Sequence, residues 1–149
     1  MIKRRIKDQY IQTWRQTVFE KDICISYRIF KTDFCFENYL NMHDTVLRKS
    51  LTKFRLSSHN LPIQQMRYSN TPRQDRLCTL CDKNEIGDEF HYLFTCSHDA
   101  LTDFRIRYIS RYFYIRPNTY KFDILMNAKS NRKRTRLAKF VHQILLLFR

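Results

Sequence analysis

Residues 76–96 read Arg76-Leu77-Cys78-Thr79-Leu80-Cys81-Asp82-Lys83-Asn84-Glu85-Ile86-Gly87-Asp88-Glu89-Phe90-His91-Tyr92-Leu93-Phe94-Thr95-Cys96, a C-x2-C-x9-H-x4-C pattern that uses three of the chain's five cysteines. Three thiols and one imidazole form a Cys3His set, one of the closed tetrahedral sets that hold structural zinc. Two residues between Cys78 and Cys81 allow a tight turn that aims both sulfurs at one point. Gly87, the only glycine in 149 residues, is placed to reverse the connecting loop at positive φ. Asp88 suits the N-cap of a short helix that presents His91, with Cys96 at or just past its end. His98 is a competing fourth ligand; His91 is preferred because it sits on the helix. The spacing predicts Zn2+ held by Cys78, Cys81, His91 and Cys96.

A full ligand set leaves no open position to activate water, so the site is expected to be structural. No His-x-Glu of a zinc deaminase occurs, nor a Gly-x-Ser-x-Gly elbow or a phosphate loop. Beyond Cys96 the only acids are Asp99, Asp103 and Asp123, without the paired carboxylates of a metal-dependent nuclease. The chain is expected not to be an enzyme, and no catalytic residue is assigned.

One glycine and three prolines leave few helix breakers, which points to a mainly α fold, a helical domain with the small metal module inserted between helices. The divisions expected are an N-terminal helical segment 1–56, a basic linker 57–76, the metal module 77–98 and C-terminal basic helices 99–149, all in one compact domain. Ile6, Tyr10, Trp14 and Val18 form a drifting stripe on a first helix. Residues 23–29 alternate, so helix and short strand compete there. A second helix is expected from Asp33 as N-cap, ending before Ser57, with Phe36, Leu40, His43, Leu47, Leu51 and Phe54 on one side, His43 as a core histidine. A third runs from about Asp99 to Ile115 with Leu101, Phe104, Tyr108 and Tyr112 inward, closed by Pro117. The last starts at Ser130 and sets Leu137, Phe140, Val141, Ile144, Leu145 and Phe148 on one face. Cys24 and Cys35 have no partner at metal spacing and are expected as core thiols.

Net charge is +14, from 28 basic and 14 acidic residues. It is uneven: 77–102 carries five acids and one base, whereas 103–149 carries twelve bases and two acids. A polyanion would be repelled by the metal module and drawn to its flanks. The expected contacts to an RNA or DNA backbone are Arg67, Arg73 and Arg76 before the module, Arg105, Arg107 and Arg111 after it, and Arg132, Lys133, Arg134, Arg136 and Lys139. Tyr108, Tyr112 and Tyr114 interleave with these arginines, as stacking on exposed bases or core packing would each use. The alternative is a structural or protein-interaction module whose 137–148 apolar face docks on another protein. No secretory signal is present and the longest apolar run, Ile144–Phe148, is five residues. A soluble intracellular protein is therefore expected, nuclear or cytoplasmic, not secreted and without a membrane partner.

Further residues carry a resemblance. Leu51-Thr52-Lys53-Phe54-Arg55-Leu56-Ser57-Ser58-His59-Asn60-Leu61-Pro62-Ile63 precedes Arg67-Tyr68, then comes the 76–96 stretch, and Ala138-Lys139-Phe140-Val141 closes. Over roughly 36–149 the chain resembles the C-terminal zinc-binding region of reverse transcriptases from non-LTR (LINE-like) retrotransposons of animals. That resemblance implies Cys78, Cys81, His91 and Cys96 as metal ligands, a grip on template RNA or target DNA, and a reverse transcriptase body as a partner. Gln64, Gln65 and Met66 stand where the family often has an acidic residue and glycine, and the polymerase's Tyr/Phe-x-Asp-Asp core is absent from the chain. The resemblance is to a detached region or a transposon remnant.

Overall fold

The amphipathic pattern at the C-terminus builds the centre of the molecule, which a computed structural model describes over residues 1–149. Helix α8 (Asn131–Leu146) starts where Ser130 accepts a hydrogen bond from the Lys133 N–H. Its Leu137, Ala138, Phe140, Val141 and Ile144 are buried against α3 (Thr45–Arg55) and α5 (Asp99–Tyr108). Helix α3 contributes Leu47, Leu51 and Phe54, spaced on one face, and α5 contributes Leu101. The apolar face at 137–148 is thus largely covered within the chain itself, rather than presented to another protein. The fold is mainly α, and its only β pairing is the isolated bridge between Leu77 and Ile86.

Around this core lie α1 (Ile2–Glu20), α2 (Tyr27–Phe30), α4 (Pro62–Tyr68), α6 (Arg111–Tyr114) and α7 (Thr119–Met126). Helix α2 packs on α7, where the Phe30 and Phe122 rings meet edge-on at 5.4 Å. The competition at 23–29 resolves into a 3-10 turn, Asp22–Cys24, followed by α2. Of the α1 stripe, Val18 is buried and Trp14 half-buried, while Ile6 and Tyr10 stay exposed.

The helix expected from Asp33 begins instead at Thr45, where the Asp44 carboxylate accepts from the Leu47 N–H at 3.0 Å. The reason lies in Arg55, 1% exposed in the last turn of α3. Its guanidinium pairs with Glu37, sits 4.9 Å over the Tyr39 ring and 4.5 Å over the Phe30 ring, and donates to the Met126 carbonyl. Glu37 and Tyr39 must both reach it, and residues two apart do not share a helix face. Extended backbone at Glu37 and a 3-10 turn at Asn38–Asn41 meet that demand. His43 is consequently exposed rather than in the core, and Cys35 is exposed too, with Cys24 half-buried.

Two further expectations change. Ile109 adopts an extended conformation and is buried, so the third helix breaks into α5 and α6, with Ser110 capping the second piece. Tyr112 then turns outward. The 57–76 stretch is not merely a linker: it holds α4, whose Pro62, Ile63 and Gln64 are buried.

Phe140 is fully buried between α5 partners Phe104 and Tyr108. Phe140→Ala is expected to cost about 3–5 kcal/mol, read as a lower denaturant midpoint; an unchanged midpoint would contradict this packing.

Candidate metal centre

The cysteine loop is closed by two backbone hydrogen bonds. Cys78 N–H donates to the Glu85 carbonyl at 2.8 Å and Gly87 N–H to the Arg76 carbonyl at 2.9 Å. Asn84, at φ 54, makes the left-handed reversal, and Gly87 does not have positive φ. Asparagine tolerates that conformation because its short polar side chain bonds locally. Glycine is needed at 87 for another reason. A Cβ there would lie 2.9 Å from the Tyr92 hydroxyl, 3.0 Å from Pro62 Cβ and 3.2 Å from Cys78 Cα. The Ile63 N–H also donates to the Gly87 carbonyl at 3.1 Å. Here the cysteine loop and the start of α4 touch.

Asp88 caps the next turn as expected, accepting from the His91 N–H at 3.0 Å. That turn, His91–Thr95, is a π-helical one, closed by Cys96 N–H to the His91 carbonyl at 2.9 Å. Five residues along an α-helix of 3.6 per turn would point about 140° apart. An i→i+5 closure brings such a pair onto nearly the same side, so His91 and Cys96 face one point. The ligand atoms of Cys78, Cys81, His91 and Cys96 lie within 4.8 Å of one another. Cys78 Sγ is 3.8 Å from Cys96 Sγ, and Cys81 Sγ is 3.4 Å from His91 Nε2. These four residues can hold a metal ion. His98 is outside the group; its carbonyl starts α5, accepting from Leu101 and Thr102.

The surroundings prepare these atoms as ligands. His91 Nδ1 donates to the Glu85 carboxylate at 2.8 Å, and the Thr95 hydroxyl donates to the same carboxylate at 2.9 Å. This fixes the ring with Nε2 toward the sulfurs, the usual outer-shell device of a metal-bound histidine. Burial lowers the His91 pKa against the opposing pull of Glu85, which favours the neutral ring a metal needs. Burial and the adjacent Cys78 thiol push Cys96 up to about 12. Burial also raises Cys81, but the Lys83 and Ser97 amides and the neighbouring thiols outweigh it and lower that pKa. Leu80 N–H approaches Cys78 Sγ at 3.3 Å. A metal ion held here would take the three sulfurs as thiolates.

Glu85 and Thr95 were not singled out from sequence; the i, i+4 spacing of Thr95 from His91 was the available signal. Glu89 was also missed, with no local signal at all. It is 2% exposed and accepts from Ser26 Oγ and Ser57 Oγ, each at 2.6 Å, and from His59 Nε2 at 2.8 Å. Leu61 N–H donates to the other ring nitrogen of His59. Burial would raise the Glu89 carboxyl, but the bonds from His59, Ser26 and Ser57 hold it down at about 2.

The basic residues divide. Arg105 is buried, and its guanidinium donates to the Leu93 and Tyr92 carbonyls. Arg73 pairs with Asp88 at 3.3 Å, Arg76 donates to the Thr71 and Ile63 carbonyls, and Arg67 to Gln64. Arg134 reaches the carbonyls of Ala128, Lys129 and Asn38. Arg136, exposed, donates to the Tyr108 and Arg107 carbonyls, which sets the first half of α8 beside the end of α5. Arg107, Arg111, Arg132, Lys133 and Lys139 are exposed. Tyr108 stacks on Phe140 at 6.3 Å, Tyr114 is half-buried and Tyr112 is exposed. No helix is long and apolar enough to cross a membrane.

No protein-family model, curated protein or solved structure matches this chain.

Gly87→Ala is expected to destabilise the protein by about 1–3 kcal/mol, because two of the three close neighbours are backbone or ring carbon. Denaturant unfolding of the metal-loaded protein checks this, and an unaltered midpoint would show that the loop and α4 separate freely.

Proposed function

We propose that the chain is a zinc-stabilised, non-catalytic domain that grips the backbone of RNA or DNA. For the metal, the supporting observation is the donor geometry. Tetrahedral zinc with Zn–S about 2.3 Å and Zn–N about 2.0 Å has S–S edges of about 3.8 Å and S–N edges of about 3.5 Å. The pairs Cys78–Cys96 and Cys81–His91, at 3.8 and 3.4 Å, already stand at those edges. A closed set of three sulfurs and one nitrogen supplies folding free energy rather than chemistry.

The nucleic-acid reading rests on the basic face formed by Arg107, Arg111, Arg132, Arg136 and Lys139, where α8 lies against the end of α5. The first turn of α8 holds no acidic residue, yet Arg132, Lys133 and Arg134 crowd there. Cations at the positive end of a helix are unfavourable, and a bound polyanion relieves that strain. The segments resembling the C-terminal region of non-LTR reverse transcriptases support the same role. One observation favours a second reading, a protein-interaction module. Ile2, Ile6 and Tyr10 of α1 are all more than half exposed, and they offer an apolar stripe to a protein partner such as a polymerase body.

Zinc is expected at one equivalent per chain and lost in both Cys78→Ser and His91→Ala, with local loss of tertiary order; retention in both variants, measured by elemental analysis, would show the ligand set to be wrong. Binding to a single-stranded oligonucleotide should fall steeply with salt, by a log–log slope of about −0.7 per phosphate contacted. Arg132→Glu and Lys139→Glu should each flatten it by about one contact. Absence of binding at low salt would refute the nucleic-acid role.

A further inference from the structure

Tyr112 is the one tyrosine of the 108–114 cluster that the fold turns outward, on the short helix that also carries the exposed Arg111. The break at Ile109 puts it on α6 next to Arg111, two residues beyond the Ser110 cap. The residue is 52% exposed. Lys121 of α7 holds its ammonium 4.6 Å from the ring centroid, and that ammonium is itself fixed by donating to the Ile115 carbonyl at 2.6 Å. The Phe113 ring also meets the Tyr112 ring edge-on at 5.2 Å, and about half of the residue stays open to solvent. Exposing half an aromatic ring to water gives up the burial that its neighbours Tyr108 and Phe113 obtain.

We propose that Tyr112, backed by Lys121, is a stacking platform for an unpaired base, so that the bound polymer is single-stranded nucleic acid rather than duplex. The proposal rests on the nucleic-acid reading above and narrows its substrate. In a duplex each base is stacked on its neighbours and hidden from such a ring. In a single strand the bases are free to stack on an aromatic face while the phosphates follow adjacent cations. Exposed Arg111, next to Tyr112 in the chain, and exposed Arg107, in the last turn of α5, supply those cations, and the Arg136 bonds to the Arg107 and Tyr108 carbonyls bring the basic half of α8 to the end of α5.

The test uses the full zinc-loaded chain, a short oligouridylate, an abasic strand of equal length and charge, and a duplex. Tyr112→Leu is expected to weaken oligouridylate binding about tenfold, the effect of losing one base–aromatic stack. Abasic-strand binding and the salt slope should stay at wild-type values. Tyr112→Phe should bind as wild type and Tyr112→Trp as tightly or more tightly, which a merely structural role would not produce. Equal loss on the abasic strand, no loss on oligouridylate, or duplex binding tighter than oligouridylate would overturn the platform while leaving backbone binding standing. Failure of the wild-type chain to bind any of the three probes would overturn the nucleic-acid reading itself, and the platform with it.

Discussion

In the turn that begins at Asp88, consecutive side chains must face three different surroundings. Asp88 caps the turn and pairs with Arg73, Glu89 points inward to Ser26, Ser57 and His59, and His91 faces the sulfurs. A carboxylate as buried as Glu89 costs several kcal/mol to desolvate unless donors surround it. Its donors come from the segment before α2, from the end of α3 and from the loop leading to α4, as far as 63 residues away. The metal turn, the N-terminal region and the core helix are therefore mutually dependent. The π closure adds the last condition, because only a widened turn lets His91 and Cys96 converge.

The scarcity of glycine and the excess of arginine are connected. Helices commonly end on a left-handed glycine that helps satisfy their last carbonyls, and this chain has one glycine, used elsewhere. Left-handed positions fall instead to Ser57, Asn70, Asn84 and Arg116. Carbonyls at or near helix ends are taken up by long cationic side chains: Phe19 by Arg28, Met126 by Arg55, Arg107 and Tyr108 by Arg136. Arg105 does the same for Tyr92 and Leu93 in the metal turn. Part of the positive charge thus belongs to the architecture, and the part left over is exposed on α1, at Lys3, Arg4, Arg5, Lys7 and Arg15, as well as on α5, α6 and α8.

The ligand set, the Asp88 cap and the Ser130 helix were legible because each depends on residues close in sequence: a spacing, a capping side chain, a repeat of apolar positions. The start of α3 was misplaced because Asp33 and Asp44 are equally good caps locally, and the choice between them belongs to Arg55. His43 is exposed as a consequence, whereas Cys35 is exposed for a separate reason, since lacking a metal-spaced partner says nothing about burial. Gly87 was recognised as a necessary glycine for the wrong reason, since the contact that excludes a side chain comes from Pro62 and Tyr92, which no local pattern pairs with it.

By itself, then, the amino-acid sequence determined a helical chain with a Cys3His cluster and a basic C-terminal half. Hydrophobic period, thiol spacing and charge are local properties that survive without knowing the fold. Only the tertiary structure decided which arginines are internal staples and which face solvent, and which tyrosine of three is left outside. Those outcomes depend on unsatisfied carbonyls and carboxylates brought near from distant parts of the chain, and each buried polar group must find its partner wherever the packing puts one.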